Sequence, residues 1–452
     1  MIEKSPLEEQ KKQYRYQKSI VVAYACVLAV MLCMVVYTGV VRGVLGMGKE
    51  DSATGTAAID WEERYPFTQT PDDDQVPETQ ELDAQGEGKN IVARLAEQYQ
   101  SRMQGIKATL EWYCTDGFLL QPQCIELSAY VNRITQTKII RSANTLVNVH
   151  GGYITMLAAQ VDTKEYADNV IAFMEFLEAE GIDGLYVESL FKVDREDENP
   201  LLYDDYTNRN ADELIGYLQE AGVPVLDLRA LVFEQGLSHY ELFFKTDTHW
   251  LPSTGLWATA EISRELNERF SCNIVEKVLE LSRWEQEEYK DAFLGSNGRN
   301  VGLAYSTPED FDVILPKFET NIRYVSEALD IDVCGNYADT LIDWSKVENA
   351  NYYDNSCYEA YMYGRQPLAH IYNQNNENEN RILFVSDSFG ITVAPFLALG
   401  VAQVDFIDPR LFNGSIEAYV KETEPDVVVM MFNPEVITNI SPNSNDSCYM
   451  LK

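Results

Sequence analysis

The sequence predicts an α/β fold: a parallel sheet with helices on both faces, preceded by a single N-terminal transmembrane helix. Three observations carry this expectation. From about residue 167 to residue 431, short apolar runs alternate with helix-length amphipathic stretches, the pattern of a parallel sheet between two helical layers. Two of the helical stretches stop at a glycine and give way at once to an apolar run, as expected where a helix ends left-handed and hands over to a strand. Near the N-terminus lies one uncharged apolar segment long enough to cross a bilayer.

That segment is Ser19–Val41. At about 1.5 Å per residue it spans a hydrocarbon core of about 30 Å. A cleaved secretory signal is the rival reading, but its apolar region runs to only about 7–15 residues, and a small-x-small cleavage site would follow. No clear site of that kind follows here. Lys4, Lys11, Lys12, Arg15 and Lys18 precede the run, whereas Arg42 and Lys49 follow closely. The positive-inside rule then makes residues 1–18 a cytoplasmic tail, 19–41 the membrane span and everything after about residue 42 extracytoplasmic. Residues 42–88 read as an acidic stalk. From Pro71 to Gly88 the chain is PDDDQVPETQELDAQGEG, with no basic residue and no aromatic, a composition that cannot bury enough surface to fold alone.

The catalytic domain is expected over 89–440, with 441–452 a C-terminal tail. Ile91, Leu95, Tyr99, Met103, Ile106, Leu110 and Tyr113 recur at helical spacing, on one face of a helix that packs on the domain or, less simply, seeks a coiled-coil partner. A helix over Ala167–Glu180 stops at Gly181 and leads to a strand at Gly184–Val187. A second over Ala211–Ala221 stops at Gly222 and leads to a strand at Val223–Leu228. Tyr240–Lys245 reads as a strand, and a helix runs from near Ser253 to about Phe270. Ile382–Val385, Val404–Ile407 and Val427–Met431 supply the last strands of the sheet. Between about 276 and 380 the pattern loosens; Phe311–Lys317 and Asn321–Val325 are strand candidates within an insertion decorating the sheet.

At 452 residues and 46% apolar, the chain can bury a large core as one large domain or two ordinary ones. Its formal charge of −37 repels phosphate backbones, which argues against nucleic acid as a partner and suits a neutral sugar polymer or a small acyl donor. Two of the eight cysteines, Cys26 and Cys33, lie in the span. Of the other six, Cys114–Cys124 and Cys334–Cys357 are the simplest pairs by spacing, though six cysteines allow about fifteen connectivities. No CxxC occurs, and the four histidines His150, His239, His249 and His370 form no ligand-like cluster with carboxylates. No metal and no cofactor is called for.

Two segments carry chemistry. RILFVSDSFG (Arg381–Gly390) sets a strand directly before a small-acid-Ser-aromatic-Gly turn. Such a turn lifts Ser388 to the strand's carboxyl end, where ligands of parallel sheets bind, and aims backbone N–H groups at an oxyanion. A serine in a turn also serves as a helix cap, which is the competing reading of this motif. FFKTDTHW (Phe243–Trp250) places Asp247 and His249 two apart, on one side of an extended segment. An imidazole can take the serine proton while a carboxylate fixes its tautomer and stabilises the imidazolium. The competing readings are a helix-capping Asp247, a satisfied core His249, or a metal pair. Chain order, with acid and histidine before serine, disfavours an α/β-hydrolase.

With these segments in view, the chain resembles the SGNH-hydrolase-like O-acetyltransferases of the alginate acetylation type, often labelled DHHW proteins in Gram-positive bacteria. NVHGGYI (Asn148–Ile154), KTDTHW (Lys245–Trp250), FLGSNGRNVG (Phe293–Gly302) and VSDSFG with VDFIDPRLFNGSI (Val385–Ile416) carry the likeness. Serine at 386 departs from the family's usual glycine, and Thr248 matches the DTHW form of the alginate-type branch. The resemblance implies an SGNH-like fold with Ser388 as nucleophile, His249 as base and Asp247 as orienting acid. It further implies acetyl transfer to a surface polysaccharide, the acetyl group being delivered by a multipass membrane O-acyltransferase. Arg299 can meet a polar substrate or sit solvated in its loop, and Trp250 can stack on a sugar or pack. Tyr352, Tyr353, Tyr358, Tyr361 and Tyr363 fit either a sugar platform or a set of buried rings. A carbohydrate esterase or deacetylase would use the same three residues, and a non-catalytic polysaccharide-binding scaffold on the same fold is the reading from a different class.

Overall fold

The computed structural model describes residues 121–451 apart from 142–144, 196–204, 349–350, 354, 377–378 and 439. The expected membrane span, stalk and 91–113 helix lie outside the described residues, as does the Cys114–Cys124 pairing. Among the described residues no helix is long and apolar enough to cross a membrane.

From Cys124 onward the chain forms one unit. Helix α1 (Gln121–Thr135) leads into a small antiparallel sheet of β1 (Ile139–Arg141), β2 (Thr145–Asn148) and β3 (Ile154–Met156). Then come α2 (Lys164–Glu180), β4 (Asp183–Glu188), α3 (Thr207–Glu220), β5 (Val225–Asp227), α4 (Leu228–Glu234) and α5 (Pro252–Phe270). Strands β6 (Trp284–Phe293) and β7 (Glu309–Pro316) form a separate antiparallel pair, with α6 (Ser296–Val301) between them. The remaining strands are β8 (Ile322–Ser326), β9 (Ile331–Gly335), β10 (Ala369–Asn373), β11 (Arg381–Ser386), β12 (Gln403–Ile407) and β13 (Val427–Phe432).

The principal sheet has eight strands in the order β5-β4-β13-β11-β12-β10-β8-β9. Its first five strands are parallel, as the sequence predicts. Its last three are antiparallel, so the sheet is mixed. All three come from the 276–380 segment, where a hairpin and a long return connection replace the crossover helices that parallel pairing requires.

Alternation along the central strands sets the two helical layers. Leu185, Val187, Ile382, Phe384, Val427, Val429 and Met431 share one core with Leu256, Ala258, Ile262 and Leu266 of α5. Their neighbours Tyr186, Leu383, Val385, Val428, Met430 and Phe432 turn to the opposite face. There they meet Tyr166, Val170, Phe173 and Leu177 of α2 and Ala211, Leu214 and Leu218 of α3. Successive side chains of a strand point to opposite faces, so strands apolar at every position need helices on both sides. Gly181 ends α2 in the left-handed region (φ 75°), its N–H bonded back to Glu178, which is how α2 stops where β4 must begin. The C-terminal residues Cys448, Tyr449 and Leu451 are buried in this second core.

Two expectations are corrected. Tyr240–Lys245 is not a strand: His239–Leu242 is a 3-10 turn, and only Phe243 pairs, across a tight bend, with Trp250. Cys334 and Cys357 do not pair. Cys334 is exposed on β9, while Cys357 is buried and donates to the Ala292 carbonyl at 3.3 Å.

One buried acid ties this core to pH. Glu188, at the carboxyl end of β4, is fully buried, and its Oε1 has no hydrogen-bond partner among the described residues. Burial pushes its carboxyl up to about 8, with the Arg229 charge opposing and Asp227 adding to the rise. An acid whose folded value is raised contributes stability that is full below its unfolded value, near 4.5, and is lost as pH rises through about 8. Glu188→Gln, which stays neutral, should therefore melt higher than the parent at alkaline pH, with the difference vanishing toward mildly acidic pH. Thermal unfolding of both proteins across that range checks this; a difference independent of pH would refute it.

Candidate active site

The carboxyl ends of three adjacent strands come level and release the segments that build the site. Register pairs Ser386 with Met431 and Phe432 with Glu188, so β11, β13 and β4 end side by side. Beyond β11 the chain turns through Asp387 into a short 3-10 turn that begins at Ser388. Asp387 is buried and fixes this turn at two points. Its Oδ1 accepts from Phe389 N at 2.9 Å, and its Oδ2 accepts from Asn433 N, just past β13, at 2.7 Å. Burial raises the Asp387 carboxyl, and Arg410 and these two N–H groups oppose the rise.

The turn is as tight as its sequence suggests, but the close approach falls at Gly390. A Cβ there would lie 2.5 Å from Ser386 Oγ and 2.6 Å from Ser386 Cβ. Serine is accommodated at 386 because its hydroxyl donates to the Met431 carbonyl at 2.8 Å. Phe389 N–H and Gly390 N–H are both taken by Asp387, the second through its carbonyl at 3.1 Å. The expectation that the turn offers several N–H groups to an oxyanion is narrowed accordingly.

Residues 243–250 bring Asp247 and His249 to the same place. Phe244 N–H reaches the His249 carbonyl at 3.3 Å, closing a bend rather than an extended strand. The two side chains meet because the bend folds one back on the other: His249 Nδ1 lies 2.5 Å from Asp247 Oδ1, which also accepts from His249 N at 3.1 Å. On the other side of the ring, His249 Nε2 lies 2.7 Å from Ser388 Oγ. Asp247 is buried, whereas His249 and Ser388 are partly exposed. An imidazole bridging a buried carboxylate and a reachable hydroxyl can move the hydroxyl proton while remaining in one tautomer.

A buried carboxylate must be satisfied by donors, and the Gly-rich loop supplies them. Ser296 N donates to Asp247 Oδ2 at 2.7 Å. Burial would raise the Asp247 carboxyl, but the His249 charge and hydrogen bond and the two backbone N–H groups carry it well below the usual carboxylate range. The loop is pinned by Thr246, whose Oγ1 accepts from Gly295 N at 2.9 Å and whose carbonyl accepts from Gly298 N at 2.7 Å. Thr246 is held in turn by Glu309, which takes both its N–H at 2.7 Å and its hydroxyl at 2.6 Å. Buried Lys192, just after β4, donates to the main-chain carbonyl of Asp247 and to that of Ile154, the latter at 2.9 Å. Burial brings its ammonium down to about 8, with Asp247 and Glu435 opposing the drop.

Tyr358 packs flat on the imidazole, centroids 4.0 Å apart at 17°, and its hydroxyl lies 3.1 Å from Thr392 Oγ1. Tyr358 and Tyr361 are thus buried rings rather than a sugar platform. Trp250 is fully buried and donates its indole N–H to Thr392 at 2.8 Å, so it packs and offers no face to a ligand. Arg299 donates to the Asn355 carbonyl at 2.9 Å, tying the Gly-rich loop to the segment that carries Tyr358. Among the described residues no group of three or more His, Cys, Asp or Glu is placed to hold a metal ion.

Residues 157–310 match the family model of the SGNH hydrolase-like domain, acetyltransferase AlgX. The chain is similar to that family. The match contains Asp247, His249 and the Gly-rich loop and ends before the serine turn, which the fold itself brings up against His249. None of the curated proteins matches the chain. Among solved structures, PatB1 of Bacillus cereus is 17% identical, with a TM-score of 0.55 over 68% of this chain and 99% of that one. A DHHW family protein from Eubacterium siraeum is 16% identical, with a TM-score of 0.51 over 70% of this chain and 97% of that one. These two likenesses concern the fold.

The residues that sequence reasoning missed are Lys192, Ser296 and Glu435, while Tyr358 was named only as one of five tyrosines and not as a partner of His249. Ser296 stood within a quoted motif, whereas Lys192 and Glu435 lie in segments with no motif at all. Gly295 gives a direct check on the loop. Its φ of −66° suits any residue, yet an added Cβ would come 2.5 Å from both Asp247 Cα and the Thr246 carbonyl oxygen. Gly295→Ala should cost about 1–3 kcal/mol through overpacking, more than Gly298→Ala, whose Cβ would meet Thr246 Cβ and the flexible end of Leu294 but none of the backbone atoms that crowd Gly295. Denaturant unfolding of both variants measures the difference, and equal costs would contradict this account.

Proposed function

We propose that this chain is a membrane-anchored, extracytoplasmic O-acetyltransferase that modifies a cell-surface or exported polysaccharide through an acyl-Ser388 intermediate. The similarity to an acetyltransferase domain supports the reaction class. The observation that carries the mechanism is the 2.7 Å approach of His249 Nε2 to Ser388 Oγ while Nδ1 faces buried Asp247.

In this reading His249 takes the Ser388 proton as Oγ adds to the acetyl carbonyl. The donor's bond to the acetyl carbon breaks, and the donor departs with the proton from His249. An acceptor hydroxyl then gives its proton to His249 and attacks the acyl ester. Ser388 leaves with its proton restored. Asp247 remains ionised throughout, because its surroundings hold it well below the usual carboxylate range. The membrane span at 19–41 would keep the domain at the outer surface, where a multipass O-acyltransferase can hand over acetyl groups. The net charge of −37 favours a neutral acceptor over an anionic one. An esterase differs only in that water takes the acceptor's place.

Two measurements test the reading. Purified protein, given an activated acetyl ester and a neutral oligosaccharide, should yield acetylated oligosaccharide by mass spectrometry, and Ser388→Ala should lose both transfer and acetate release by about a thousandfold or more. Free acetate without acetylated sugar would make the chain an esterase, and undiminished activity in Ser388→Ala would remove Ser388 from the mechanism. Asp247→Asn should lower kcat by about a hundred- to ten-thousandfold, because the imidazole then loses the partner that fixes its tautomer. A loss confined to KM would contradict that role.

A further inference from the structure

The three residues of the site come from two segments that are far apart in the chain, Asp247–His249 and Ser388. Besides the imidazole–hydroxyl contact, a second path of hydrogen bonds joins those segments from behind. It starts at Asp387, the residue before Ser388, whose Oδ2 accepts from Asn433 N at 2.7 Å. Asn433 is anchored in turn, its Nδ2 donating to the Leu190 carbonyl at 2.5 Å. Asn433 Oδ1 accepts from Glu435 N at 2.8 Å, which fixes where the Glu435 side chain departs. The Glu435 carboxylate then accepts from two hydroxyls: Thr155 Oγ1 at 3.1 Å, and Thr248 Oγ1, which lies between Asp247 and His249. Burial raises the Glu435 carboxyl, with Thr248 and Lys192 opposing the rise.

Lys192 completes the arrangement. Its ammonium lies within the influence of Glu435 and Asp247 and donates to the Asp247 carbonyl. The Asp247–Thr248–His249 bend is therefore held at its first residue by a buried cation and at its second by a carboxylate. That carboxylate is itself tied to the residue before Ser388. The Trp250 indole, bonded to Thr392 of the serine turn, is a further link between the two segments, but it lies beyond His249 in the chain, whereas the Glu435 path acts on Thr248, between Asp247 and His249. The 2.7 Å hydrogen bond between His249 and Ser388 contributes only about 1 kcal/mol net and cannot by itself fix a reacting geometry.

We infer that Glu435 is a positioning residue: acting through Thr248 on one side and through Asn433 and Asp387 on the other, it sets His249 against Ser388. The inference rests on the acyl-serine reading and deepens it. Among the described residues Glu435 makes no hydrogen bond to Ser388 or His249, so its effect falls on reaction rate rather than on ligand affinity.

The test uses labelling of Ser388 by a fluorophosphonate, resolved into the rate at saturation and the half-saturating concentration, alongside acetyl release from an activated ester. Thr248→Val removes the hydroxyl that reaches Glu435 and keeps the side chain's shape. It should lower the saturated labelling rate and kcat by about 10- to 100-fold, leaving the half-saturating concentration and KM within about twofold. Thr248→Ser, which restores the hydroxyl, should recover most of the loss. Combining Thr248→Val with Glu435→Gln should add little to the loss from Glu435→Gln alone, because both break one path. A Thr248→Val protein that labels at the parental rate, or a Thr248→Ser protein as slow as Thr248→Val, would overturn the positioning role and leave the acyl-serine reading standing. Absence of Ser388 labelling in the parent protein would overturn the acyl-serine reading and the inference with it.

Discussion

The site is organised around the requirement that the Asp247 carboxylate, once buried, be satisfied on every side. A carboxylate out of water costs several kcal/mol unless donors surround it, and here two residues donate to it. His249 supplies its ring and its own N–H and Ser296 a backbone N–H, while Lys192 secures the adjoining main-chain carbonyl. Each donor commits a further piece of structure. Ser296 requires a loop that approaches closely enough to exclude a Cβ at Gly295, and that loop requires Thr246 and Glu309 to pin it. Burial of one acid thus propagates into the placement of β7, α6 and the segment after β4.

The sheet provides the frame for this arrangement. Because β4, β13 and β11 are parallel and end level, the segments holding Lys192, Asn433 and Ser388 leave the core side by side. The Asp387 side chain makes the register explicit, reaching forward to Phe389 in its own turn and sideways to Asn433 beyond the neighbouring strand. A slip of one residue in the β11–β13 pairing would turn the serine turn toward the other face. The apolar strands buried on both faces therefore set the geometry of the site as well as stability.

Much of this was legible in the sequence because it rests on local patterns. The glycine stops at 181 and 222, the apolar runs of the five parallel strands and the helix over 252–270 all follow from periodicity and turn chemistry. Short motifs single out Asp247, His249 and Ser388, which the fold brings together, but strand alternation is not what joins the first two. They meet through a bend and a shared hydrogen bond. What stayed hidden depends on contacts between distant segments. Lys192 and Glu435 look like surface residues in the sequence and are recognised only when β4 and β13 lie adjacent. Of the antiparallel strands, β8 is foreshadowed by the strand candidate at Asn321–Val325, whereas β9 and β10 are obscured because their polar, tyrosine-rich surroundings resemble a loop.

Tyr358 shows why the 276–380 segment cannot be understood as mere decoration of the site. Its ring covers one face of His249 while its hydroxyl engages Thr392, the last residue of the turn that begins at Ser388. Thr392 also takes the Trp250 indole N–H, from the residue that follows His249. One threonine hydroxyl thereby gathers the histidine segment, the serine turn and the 276–380 segment. A separate set of hydrogen bonds, through Glu435, Asn433 and Asp387, ties the same two segments, and Lys192 holds the histidine segment at the Asp247 carbonyl. The ring is thus packed by Tyr358, stacked on it at 4.0 Å, and by Phe389, tilted against it at 5.0 Å, with Nδ1 facing Asp247 and Nε2 facing Ser388.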